Sequence, residues 1–431
     1  MSTDQERVVY VIGVGVTPFS LAEKRALDYP EMGAAAARAA LEDAQLNYSD
    51  LKSVVAGYCY GDPTCGQKAV YKLGLTGVPV FNVNNNCSTG STALYLARSL
   101  VESGADCVLA LGFEKMQKGL SQVYQDRGWT SPTAEHFERF YAPELKPEAV
   151  GASPELANPH VNKFTDDVLK MFAYAAREHM QAYGTTTEQF AKIALKNHRH
   201  SVNNPYAALQ RAFDLEQIKG SPMLMDPITL LQSCATGDGA AAAIVCSEAF
   251  VRQHGLQQQA IAIRAQAMVT DLPSTLQGDS YIALSGFDMA QRAAEAVYTQ
   301  AGLGPEDVDV LEVHDCFSCA ELFMYEALGL CPVGGGGALV DSGEWEENEA
   351  GGTLFKLGGR WVVNPSGGLE SKGHPIGATG LAQCAELCWQ LRGQADKRQV
   401  EGARVGLQHN FGVGGAAVVT LYERGLRAEV L

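Results

Sequence analysis

The chain contains an internal repeat, and this feature limits the folds open to it more than any other. Residues 44–55 and residues 301–311 share one pattern: an Ala-x-Leu triplet, then an Asp followed by an apolar residue, then an adjacent apolar pair. Each stretch is typical of a helix, a short loop and a buried strand. The sequence therefore predicts two copies of one α/β unit, one in each half of the chain.

A second correspondence lies further along each copy. Residues 87–90 open one helical pattern and residues 374–377 open another. An apolar strand follows each helix, at residues 107–111 and 405–407. Cys87 and His374 are thus predicted to occupy equivalent places at two helix starts that converge about a pseudo-twofold axis. The alternative is chance similarity between two ordinary strand–helix units, because apolar patterns recur often.

The length and texture of the chain predict its organisation. At 431 residues it exceeds the size at which one hydrophobic core stops growing, so two or more domains are expected. Residues 117–231 hold five of the nine histidines and lack strong strand signals, so they are interpreted as an inserted loop domain. The N-terminal half then comprises residues 1–116 and a return at residues 232–259. The C-terminal half comprises residues 260–431.

Charge and hydropathy exclude several classes of function. The net charge of −16 and the pI near 5.0 exclude a general binder of nucleic acid or of anionic membranes. The most apolar stretches, such as residues 239–246, fall far short of the roughly 20 residues that span a bilayer as a helix. Residues 1–7 are polar and lack the apolar core of a secretory signal. A soluble, intracellular protein without a membrane span or a nucleic-acid partner is expected.

The cysteines predict thiols rather than disulfides or a metal site. Eleven cysteines in a chain without a secretory signal indicate reduced side chains. Cys316 and Cys319 form a Cys-x-x-Cys pair, but no second pair follows at the spacing of a zinc site. No bound metal is predicted.

Cys87 follows an apolar strand predicted at residues 78–83 and stands at the start of a helix, within Asn-Asn-Asn-Cys-Ser-Thr-Gly. The positive end of a helix dipole favours the thiolate, which is the reactive form of cysteine. A small buried core residue is the open alternative, because that is the usual place of cysteine.

His374 lies in a glycine-rich loop, residues 364–380, that leads into the second helix. So many glycines indicate a close backbone approach to a ligand. A histidine held there can deprotonate a thiol and then donate a hydrogen bond to a thioester oxygen. A structural loop around a satisfied histidine is the alternative.

Two further segments follow predicted strands in the C-terminal half. Residues 313–318, which include His314 and Cys316, come directly after a strand, where an α/β enzyme usually keeps its ligand-facing residues. Residues 407–415 end a strand in glycines, among them Gly412, whose N–H groups are candidates to face an oxyanion. Taken singly, a buried satisfied histidine and a plain turn are the simpler interpretations.

Together, in this order and over essentially the whole chain, the four segments resemble the thiolase superfamily. Within it they are most similar to the thiolase domain type of sterol carrier protein X. That type has His-Asp-Cys-Phe where other thiolases have Asn-Glu-Ala-Phe, and His-Asn-x-Gly where others have Cys-x-Gly. Both hallmarks occur here, at residues 314–317 and 409–412. Because the sequence ends soon after the thiolase region, sterol transfer is not expected.

The resemblance implies a role for each matching residue. Cys87 would take the acyl group. His374 would activate Cys87 and help bind the thioester oxygen, and His314 would support that oxyanion hole through a water. The backbone N–H groups of Cys87 and Gly412 would form a second oxyanion hole.

The second acid/base is the feature that sets this type of thiolase apart. Asn410 stands where a catalytic cysteine is usual, so the resemblance gives the role to Cys316. The chemistry needs one thiolate for covalent transfer and one thiol to exchange a proton with the carbon next to the carbonyl.

The resemblance also implies a fold and a reaction. The expected fold is α/β, with duplicated halves in a five-layered αβαβα arrangement and an inserted loop domain. The expected reaction is thiolytic cleavage of 3-oxoacyl-CoA by free CoA, in a homodimer with no permanently bound cofactor. Straight-chain and 2-methyl-branched substrates, including sterol side-chain intermediates, fit this type, and the sequence does not choose among them.

The sequence defines no set of CoA-binding residues. Lys192, Lys196 and Arg199, at helical spacing in the insertion, are one candidate site for the CoA phosphates, with a solvated helix face as the alternative. The resemblance suggests peroxisomes, although residues 429–431 are not the Ser-Lys-Leu type of address, and otherwise a cytoplasmic location is expected.

Two rival functions stay open at this point. A condensing enzyme of the ketoacyl-synthase type would use a cysteine and two histidines to decarboxylate a malonyl unit, and would not need a second thiol such as Cys316. A non-catalytic acyl-CoA-binding or aldolase-partner protein on the same scaffold would not require Cys87, His314, Cys316 and His374 together.

Overall fold

The chain folds into two α/β halves joined by one mixed sheet. The computed structural model describes residues 8–22, 24, 27–116 and 163–426. The first part of the N-terminal half contains β1 (Val9–Val16), β2 (Ser20–Leu21), α1 (Tyr29–Ala44), β3 (Ser53–Gly57), α2 (Cys65–Val70), β4 (Val80–Val83), α3 (Thr89–Glu102) and β5 (Cys107–Glu114).

The predicted insertion and the return to the N-terminal half come next. The elements are α4 (Lys163–Tyr183), α5 (Thr187–Ser201), α6 (Leu215–Lys219), β6 (Met223–Met225), β7 (Ile228–Thr229), β8 (Gly237–Ser247) and α7 (Glu248–His254). Residues 172–180 and 190–197 have the helical period in the sequence, and they lie inside α4 and α5. Phe172 and Phe190 of these helices are buried in the core of the C-terminal half. His136 and His160 lie outside the described residues.

The C-terminal half follows the plan of the first half, with additions. Its elements are β9 (Ile261–Val269), α8 (Pro273–Gln277), α9 (Tyr281–Leu284), α10 (Phe287–Ala301), β10 (Val310–Glu312), α11 (Ser318–Ala327), α12 (Gly336–Asp341), β11 (Glu344–Glu347), β12 (Thr353–Leu357), β13 (Trp361–Val363), α13 (Thr379–Arg392), β14 (Val405–Gly412) and β15 (Ala416–Arg424).

The two halves repeat one strand topology. The order is β4-β3-β5-β8-β1 in the N-terminal half and β13-β10-β14-β15-β9 in the C-terminal half. In each series the first two pairings are parallel and the next two are antiparallel. β1 and β9 then pair with each other and join the series. This shared order and direction confirm the duplication predicted from the sequence.

Alternate side chains of the strands build separate cores. In β1, Val9 and Val11 face a central core with α3 and α13, whereas Tyr10 and Ile12 face an outer core with α1 and α7. The outer face of the C-terminal strands packs on α4, α10 and α11. The layers are therefore helices, sheet, the α3–α13 pair, sheet and helices, which confirms the five-layered αβαβα arrangement.

The N-termini of α3 and α13 meet at the centre of the molecule. A Cβ on Gly90 would lie 2.9 Å from the Gly377 carbonyl oxygen, and one on Gly380 would lie 2.3 Å from the Ser91 nitrogen. Only glycine permits such an approach. The predicted convergence of the two helix starts is confirmed.

The predicted equivalence of Cys87 and His374 is wrong in register. Only Ser88 separates Cys87 from the first residue of α3, whereas a turn over residues 375–378 separates His374 from α13. Pro375 is the cause, because a residue before proline is disfavoured in the helical conformation. The Ala378 N–H closes the turn on the Pro375 carbonyl at 2.8 Å.

The helices are those of a globular α/β protein. α4 has 21 residues and carries charged side chains along its length, among them Asp167, Lys170 and Arg177. Across residues 8–22, 24, 27–116 and 163–426, no helix is long and apolar enough to cross a membrane.

Candidate active site

The loop that carries Cys87 joins β4 to α3 and is held by short polar side chains. Asn86 adopts a left-handed φ of 51° and its Nδ2 donates to the Val413 carbonyl at 2.7 Å. The Asn85 N–H donates to Thr89 Oγ1 at 2.9 Å. These bonds fix the backbone on either side of the sulfur.

The surroundings of Cys87 favour the neutral thiol at rest. Cys87 is half-buried, and burial of its sulfur together with the nearby Glu114 carboxyl raises its pKa to about 12. The backbone N–H groups of Cys87 and Val413 act in the opposite direction. The helix dipole at the start of α3 favours the thiolate, and desolvation of the sulfur outweighs that effect here. Cys87 therefore needs a base to become a nucleophile.

His374 stands in a long loop, residues 364–378, whose backbone requires glycine. Gly367 and Gly368 have φ values of 97° and 60°. A Cβ on Gly368 would lie 2.0 Å from Asp315 Oδ2. At this position the glycine therefore allows close approach to a carboxylate of the protein itself, rather than to a ligand.

The hydrogen bonds of His374 leave one ring nitrogen free. Nδ1 lies 2.6 Å from Thr379 Oγ1, whose own hydrogen goes to the Pro375 carbonyl at 3.2 Å. Thr379 therefore accepts from Nδ1–H, and Nε2 carries a lone pair. Nε2 is buried and has no hydrogen-bond partner among the described residues. Burial, and then the Lys372 charge, lower the pKa of His374 to about 3, so the ring is a neutral base.

His314 follows β10 and faces His374. The two rings are nearly perpendicular, at 81°, with centroids 5.2 Å apart. Burial, with contributions from His374 and His409, lowers the pKa of His314 well below its usual value. One ring nitrogen of each of these facing histidines and the Cys87 sulfur all lie within 4.8 Å of one another. The structure thus brings three of the predicted residues into one cluster.

The same three groups are of the types that bind zinc. Zinc requires a thiolate and a free lone pair on each ring. Here His314 Nδ1 already accepts a hydrogen bond from Asn410 Nδ2 at 3.1 Å, which places the proton of the neutral ring on Nε2 and leaves no free lone pair. The arrangement suits proton transfer and hydrogen bonding better than metal binding.

Cys316 lies beside this cluster, next to a thiol that the sequence analysis did not single out. Its backbone carbonyl accepts from the Cys234 N–H at 2.9 Å, and the neighbouring Ala235 carbonyl accepts from the His374 N–H at 3.0 Å. Burial raises the pKa of both thiols well above the usual value, and proximity to Cys87 adds to the shift. No local motif marks Cys234, because only long-range pairing brings it here.

Gly412 ends β14 against the Cys87 loop. A Cβ at this position would lie 2.2 Å from the Asn85 carbonyl oxygen and 2.7 Å from Ser88 Oγ. Two positions earlier, Asn410 Nδ2 donates to the Cys87 carbonyl at 3.1 Å. The strand end therefore packs directly on the loop that carries the thiol.

A buried polar network lies below the His374 loop, and two residues of α5 supply its donors. Lys196 Nζ lies 2.6 Å from Glu321 Oε1 and 2.8 Å from the Val363 carbonyl. The Asn197 amide nitrogen faces three carboxylates, those of Asp315, Glu321 and Glu370, at 3.0, 2.7 and 3.1 Å.

Burial shifts two carboxyl groups of this network, those of Asp315 and Glu370, toward their neutral forms. It raises the pKa of Glu370 to about 8, and burial and the nearby Glu321 raise the pKa of Asp315 well above its usual range. Glu370 is therefore largely protonated at neutral pH. A second buried pair, Lys372 with Glu312 at 3.1 Å, holds the same loop.

The candidate CoA phosphate site on α5 is not formed. Lys196 is 1% exposed and belongs to the buried network. Lys192 pairs with Asp341 at 2.6 Å, and the Arg199 guanidinium lies 4.9 Å from the centre of the Trp345 ring. These side chains therefore contact residues of the C-terminal half. A sequence spacing of three to four residues could not reveal which residues those are.

Glu114 ties the His374 loop to the N-terminal half. Its carboxylate accepts from the N–H groups of Cys59, Tyr60 and Gly377 at 3.0, 2.9 and 3.0 Å. Burial raises its pKa to about 7, although the three N–H donors oppose that shift. The loop after β3 and the His374 loop are thereby both anchored to the end of β5.

The fold and the site define a duplicated α/β protein with a cysteine–histidine cluster where its halves meet. The family model "Thiolase, N-terminal domain" matches residues 9–249, and the model "Thiolase C-terminal domain-like" matches residues 282–424. The chain belongs to the thiolase family.

Two curated relatives cover nearly the whole chain. Sterol carrier protein 2 of Oryctolagus cuniculus is 54% identical over 421 residues, which are 97% of this chain and 72% of that protein. Acetyl-CoA acetyltransferase of Methanothermobacter thermautotrophicus is 33% identical over 430 residues, which are 97% of this chain and 100% of that protein. The chain is thus a thiolase-family enzyme similar to sterol carrier protein 2.

Two solved structures share the fold. An Ltp2-ChsH2(DUF35) aldolase matches with a TM-score of 0.77 and 21% identity, over 99% of this chain and 100% of that one. Human mitochondrial 3-ketoacyl-CoA thiolase in complex with CoA matches with a TM-score of 0.68 and 18% identity, over 97% and 98% of the two chains. At these identities the likeness concerns the fold.

Proposed function

We propose that this chain is a 3-oxoacyl-CoA thiolase, which cleaves its substrate with free CoA through an acyl-enzyme on Cys87. One observation carries the proposal: the Cys87 sulfur lies within 4.8 Å of a ring nitrogen of both His314 and His374. A thiol with a raised pKa needs a neutral base beside it, and His374 Nε2 is an unpartnered lone pair.

In the first step the Cys87 proton passes to His374 Nε2 while the sulfur attacks C3 of the substrate. The thiolate and the imidazolium form together, so each stabilises the charge of the other at short range. The C2–C3 bond then breaks. The acyl group stays on Cys87 as a thioester, and C2 departs as the enolate of acetyl-CoA.

Two sets of hydrogen-bond donors would stabilise the negative charges of this step. The N–H groups of Cys87 and Gly412 would donate hydrogen bonds to the oxygen on C3. The packing of Gly412 against Asn85 supports a fixed backbone there. His374, with His314 and a water, serves the thioester oxygen of the enolate. Donors already in place at developing charge are usually the largest single source of rate enhancement.

Cys316 completes the proton transfers. Its thiol protonates C2 of the enolate and releases acetyl-CoA. The resulting Cys316 thiolate then takes the thiol proton of an incoming CoA, whose sulfur attacks the Cys87 thioester. Acyl-CoA leaves, and Cys87 recovers its proton from His374. All four side chains return to their starting states.

The proposed substrates are straight-chain and 2-methyl-branched 3-oxoacyl-CoAs, including sterol side-chain intermediates. A 2-methyl branch would give propionyl-CoA in place of acetyl-CoA. This is the carbon–carbon cleavage that ends a cycle of fatty acid β-oxidation. The relative named an acetyl-CoA acetyltransferase and the structure of a 3-ketoacyl-CoA thiolase with CoA support CoA as the co-substrate.

The test is incubation with a 3-oxoacyl-CoA in the presence and absence of free CoA. Products are separated by chromatography and weighed by mass spectrometry. CoA-dependent release of acetyl- or propionyl-CoA and of the shortened acyl-CoA supports the proposal. Decarboxylation of malonyl-CoA without thiolysis would indicate a condensing enzyme, and tight acyl-CoA binding without turnover would indicate a non-catalytic protein.

We propose a homodimer formed through the free edge of the N-terminal half. Among the strands of the described residues β4 ends the sheet on that side, and its Phe81 is 42% exposed. Tyr71 and Leu75, between α2 and β4, are 55% and 80% exposed. An exposed strand edge flanked by apolar side chains is usually covered by another chain. Light scattering should give twice the chain mass of 46.0 kDa, and Phe81→Lys should lower it.

We also propose a peroxisomal location, which rests on the similarity to sterol carrier protein 2. Imaging of the protein with a fluorescent tag, placed at either end in separate experiments, against a peroxisomal marker tests it. A diffuse cytoplasmic signal from both tagged forms would contradict it.

A further inference from the structure

Asn410 lies at the centre of the cluster, although no step of the proposed reaction uses it. Its side chain is fully buried on β14, and its Nδ2 lies 3.1 Å from the Cys87 carbonyl oxygen and 3.1 Å from His314 Nδ1. Its Oδ1 is also buried and has no hydrogen-bond partner within the described chain. One end of the amide makes two bonds and the other end makes none.

The partners of Asn410 fix the orientation of its amide. A backbone carbonyl oxygen only accepts hydrogen bonds, so the atom that faces the Cys87 carbonyl is the nitrogen. The amide nitrogen carries two hydrogens, one for Cys87 and one for His314. The opposite orientation would place Oδ1 against another acceptor.

The hydrogen donated to His314 decides which of its ring nitrogens carries the proton. His314 Nδ1 accepts, so it is unprotonated, and burial keeps the ring neutral. A neutral imidazole has a single N–H, which is therefore on Nε2. Thr379 fixes the opposite tautomer of His374, with the proton on Nδ1. One ring offers a lone pair at Nε2 and the other offers a proton.

We propose that Asn410 is a positioning residue that holds His314 as an Nε2–H donor. The proposal rests on the thiolase function proposed above. An N–H can stabilise negative charge on a substrate oxygen, whereas a lone pair would repel that charge and compete with His374 for the Cys87 proton. A side chain that acts as a fixed donor does not exchange protons with the substrate, which agrees with giving the acid/base role to Cys316.

The packing around Asn410 agrees with this role. A Cβ on Gly380 would lie 2.5 Å from Asn410 Oδ1, so the start of α13 closes on the amide oxygen and limits its rotation. A buried acceptor without a partner is destabilising. The amide is kept here despite that cost, and the two bonds of its nitrogen are what it contributes.

Asn410→Asp is the decisive variant, with Asn410→Ala as its matched control. Asp has the same shape, but its carboxylate accepts from His314 Nδ1–H and draws the proton away from Nε2. Thiolysis should fall by roughly 10²- to 10³-fold, which is the cost of losing an oxyanion donor. Asn410→Ala leaves the proton free to move between the nitrogens and should be less impaired. Both variants also disturb the packing, Ala through a cavity and Asp through a buried carboxylate oxygen that faces the Cys87 carbonyl, so the proton position on His314 is the readout that separates a positioning role from a structural one.

Nuclear magnetic resonance reports the proton position directly. In protein with ¹⁵N-labelled histidine, and with His314→Gln used for assignment, wild-type His314 should carry its proton on Nε2 at neutral pH. In Asn410→Asp it should carry a proton on Nδ1. A wild-type His314 protonated on Nδ1 overturns the proposal, and so does an Asn410→Asp variant with an unchanged spectrum and rate.

This readout separates the inference from the proposed function. If the wild-type protein cleaves no 3-oxoacyl-CoA but shows the Nε2 proton, the tautomer assignment is supported and the thiolase proposal fails. If it cleaves its substrate and the proton is on Nδ1, the positioning role fails and the thiolase proposal stands. If Asn410→Asp does not fold, the wild-type spectrum alone decides.

Discussion

The loops of Cys87 and His374 follow corresponding strands of the repeated topology, yet different chemistry holds them. Neutral amide and hydroxyl groups fix residues 84–88. Buried lysines and carboxylates fix residues 364–378. The strand before the first loop, β4, is a partly exposed edge, whereas β13 before the second is covered by β12.

The difference matches the role proposed for each residue. A nucleophile must be reached by substrate, and Cys87 is only half-buried. A neutral base must stay uncharged, and deep burial of the second loop lowers the pKa of His374 to about 3. The duplication therefore supplies one backbone plan twice. The buried lysine–carboxylate pairs that support the His374 loop make the two sites chemically distinct.

The largest expected effect is at the Cys87 loop. Cys87→Ala removes the atom that forms the thioester, so turnover should fall on the order of 10⁶-fold, as in other deletions of a catalytic nucleophile. Mass spectrometry of wild-type protein after brief incubation with acyl-CoA should find the acyl adduct on the Cys87 peptide. An adduct on Cys316 alone would show that the wrong thiol has been assigned.

The variant Cys316→Ser tests whether Cys316, in the loop after β10, is the second acid/base. Acylation of Cys87 should stay measurable, whereas α-proton exchange in acetyl-CoA and net carbon–carbon bond chemistry should be abolished, because a hydroxyl is a poor acid and base at this pH. Deuterium exchange into acetyl-CoA, followed by mass spectrometry, measures the effect.

Two controls accompany that variant. Cys234→Ser changes the neighbouring buried thiol and should retain exchange, and Asn410→Ala should retain both activities at a substantial level. Near-normal exchange in Cys316→Ser, or its complete loss in either control alone, would place the acid/base elsewhere.

The contrast in loop support predicts unequal losses of stability. Lys196→Met leaves buried carboxylates without their cation and should lower the free energy of unfolding by about 3–5 kcal/mol. Asn86→Gly removes an amide from the Cys87 loop without straining its left-handed backbone and should cost about 1 kcal/mol. Urea unfolding of both variants tests the contrast. Equal losses would mean that the two loops are held alike.

His374→Ala tests the base itself. Acylation of Cys87 should slow by more than the roughly 10²-fold expected for one positioned base, because an oxyanion contact is lost as well. Single-turnover measurement of the adduct gives the rate. If acylation is unchanged, His374 is a structural residue and the deeper loop has no chemical role.

The smallest effect is a pH dependence that belongs to one loop. The pKa of Glu370 is raised from 4.5 to about 8, so the folded chain binds a proton that the unfolded chain has released between those values. The free energy of unfolding should therefore fall as pH rises from 7 to 8, by at most about 1.4 kcal/mol per proton. Glu370→Gln should flatten this slope.

Glu114 provides the matched comparison on the other side of the cluster. Its pKa is raised only to about 7, so Glu114 is already half deprotonated at pH 7 and contributes less than Glu370 to the slope between pH 7 and 8. Glu114→Gln should therefore keep most of the slope between pH 7 and 8. If the slope survives in Glu370→Gln but disappears in Glu114→Gln, the pH dependence comes from Glu114 and the prediction for Glu370 is wrong.

The sequence predicted the features that depend on local pattern. Helix and strand periods revealed the repeat, and short motifs marked Cys87, His314 and His374, which the structure brings together. It could not predict that burial, rather than the helix dipole, dominates at Cys87, because burial depends on distant segments. Cys234 was missed for the same reason. Lys196 was misjudged because a basic residue at helical spacing looks the same whether it faces solvent or a buried carboxylate.

The buried lysine also bears on the order in which the molecule assembles. Lys196 bonds to Glu321 and to the Val363 carbonyl, which are 125 and 167 positions away along the chain. Contacts of such long sequence separation close late in folding, because chain entropy must be lost before they form. The His374 loop is therefore expected to reach its geometry only after α5 has docked. A chain released before that step would hold its cysteine and lack its base.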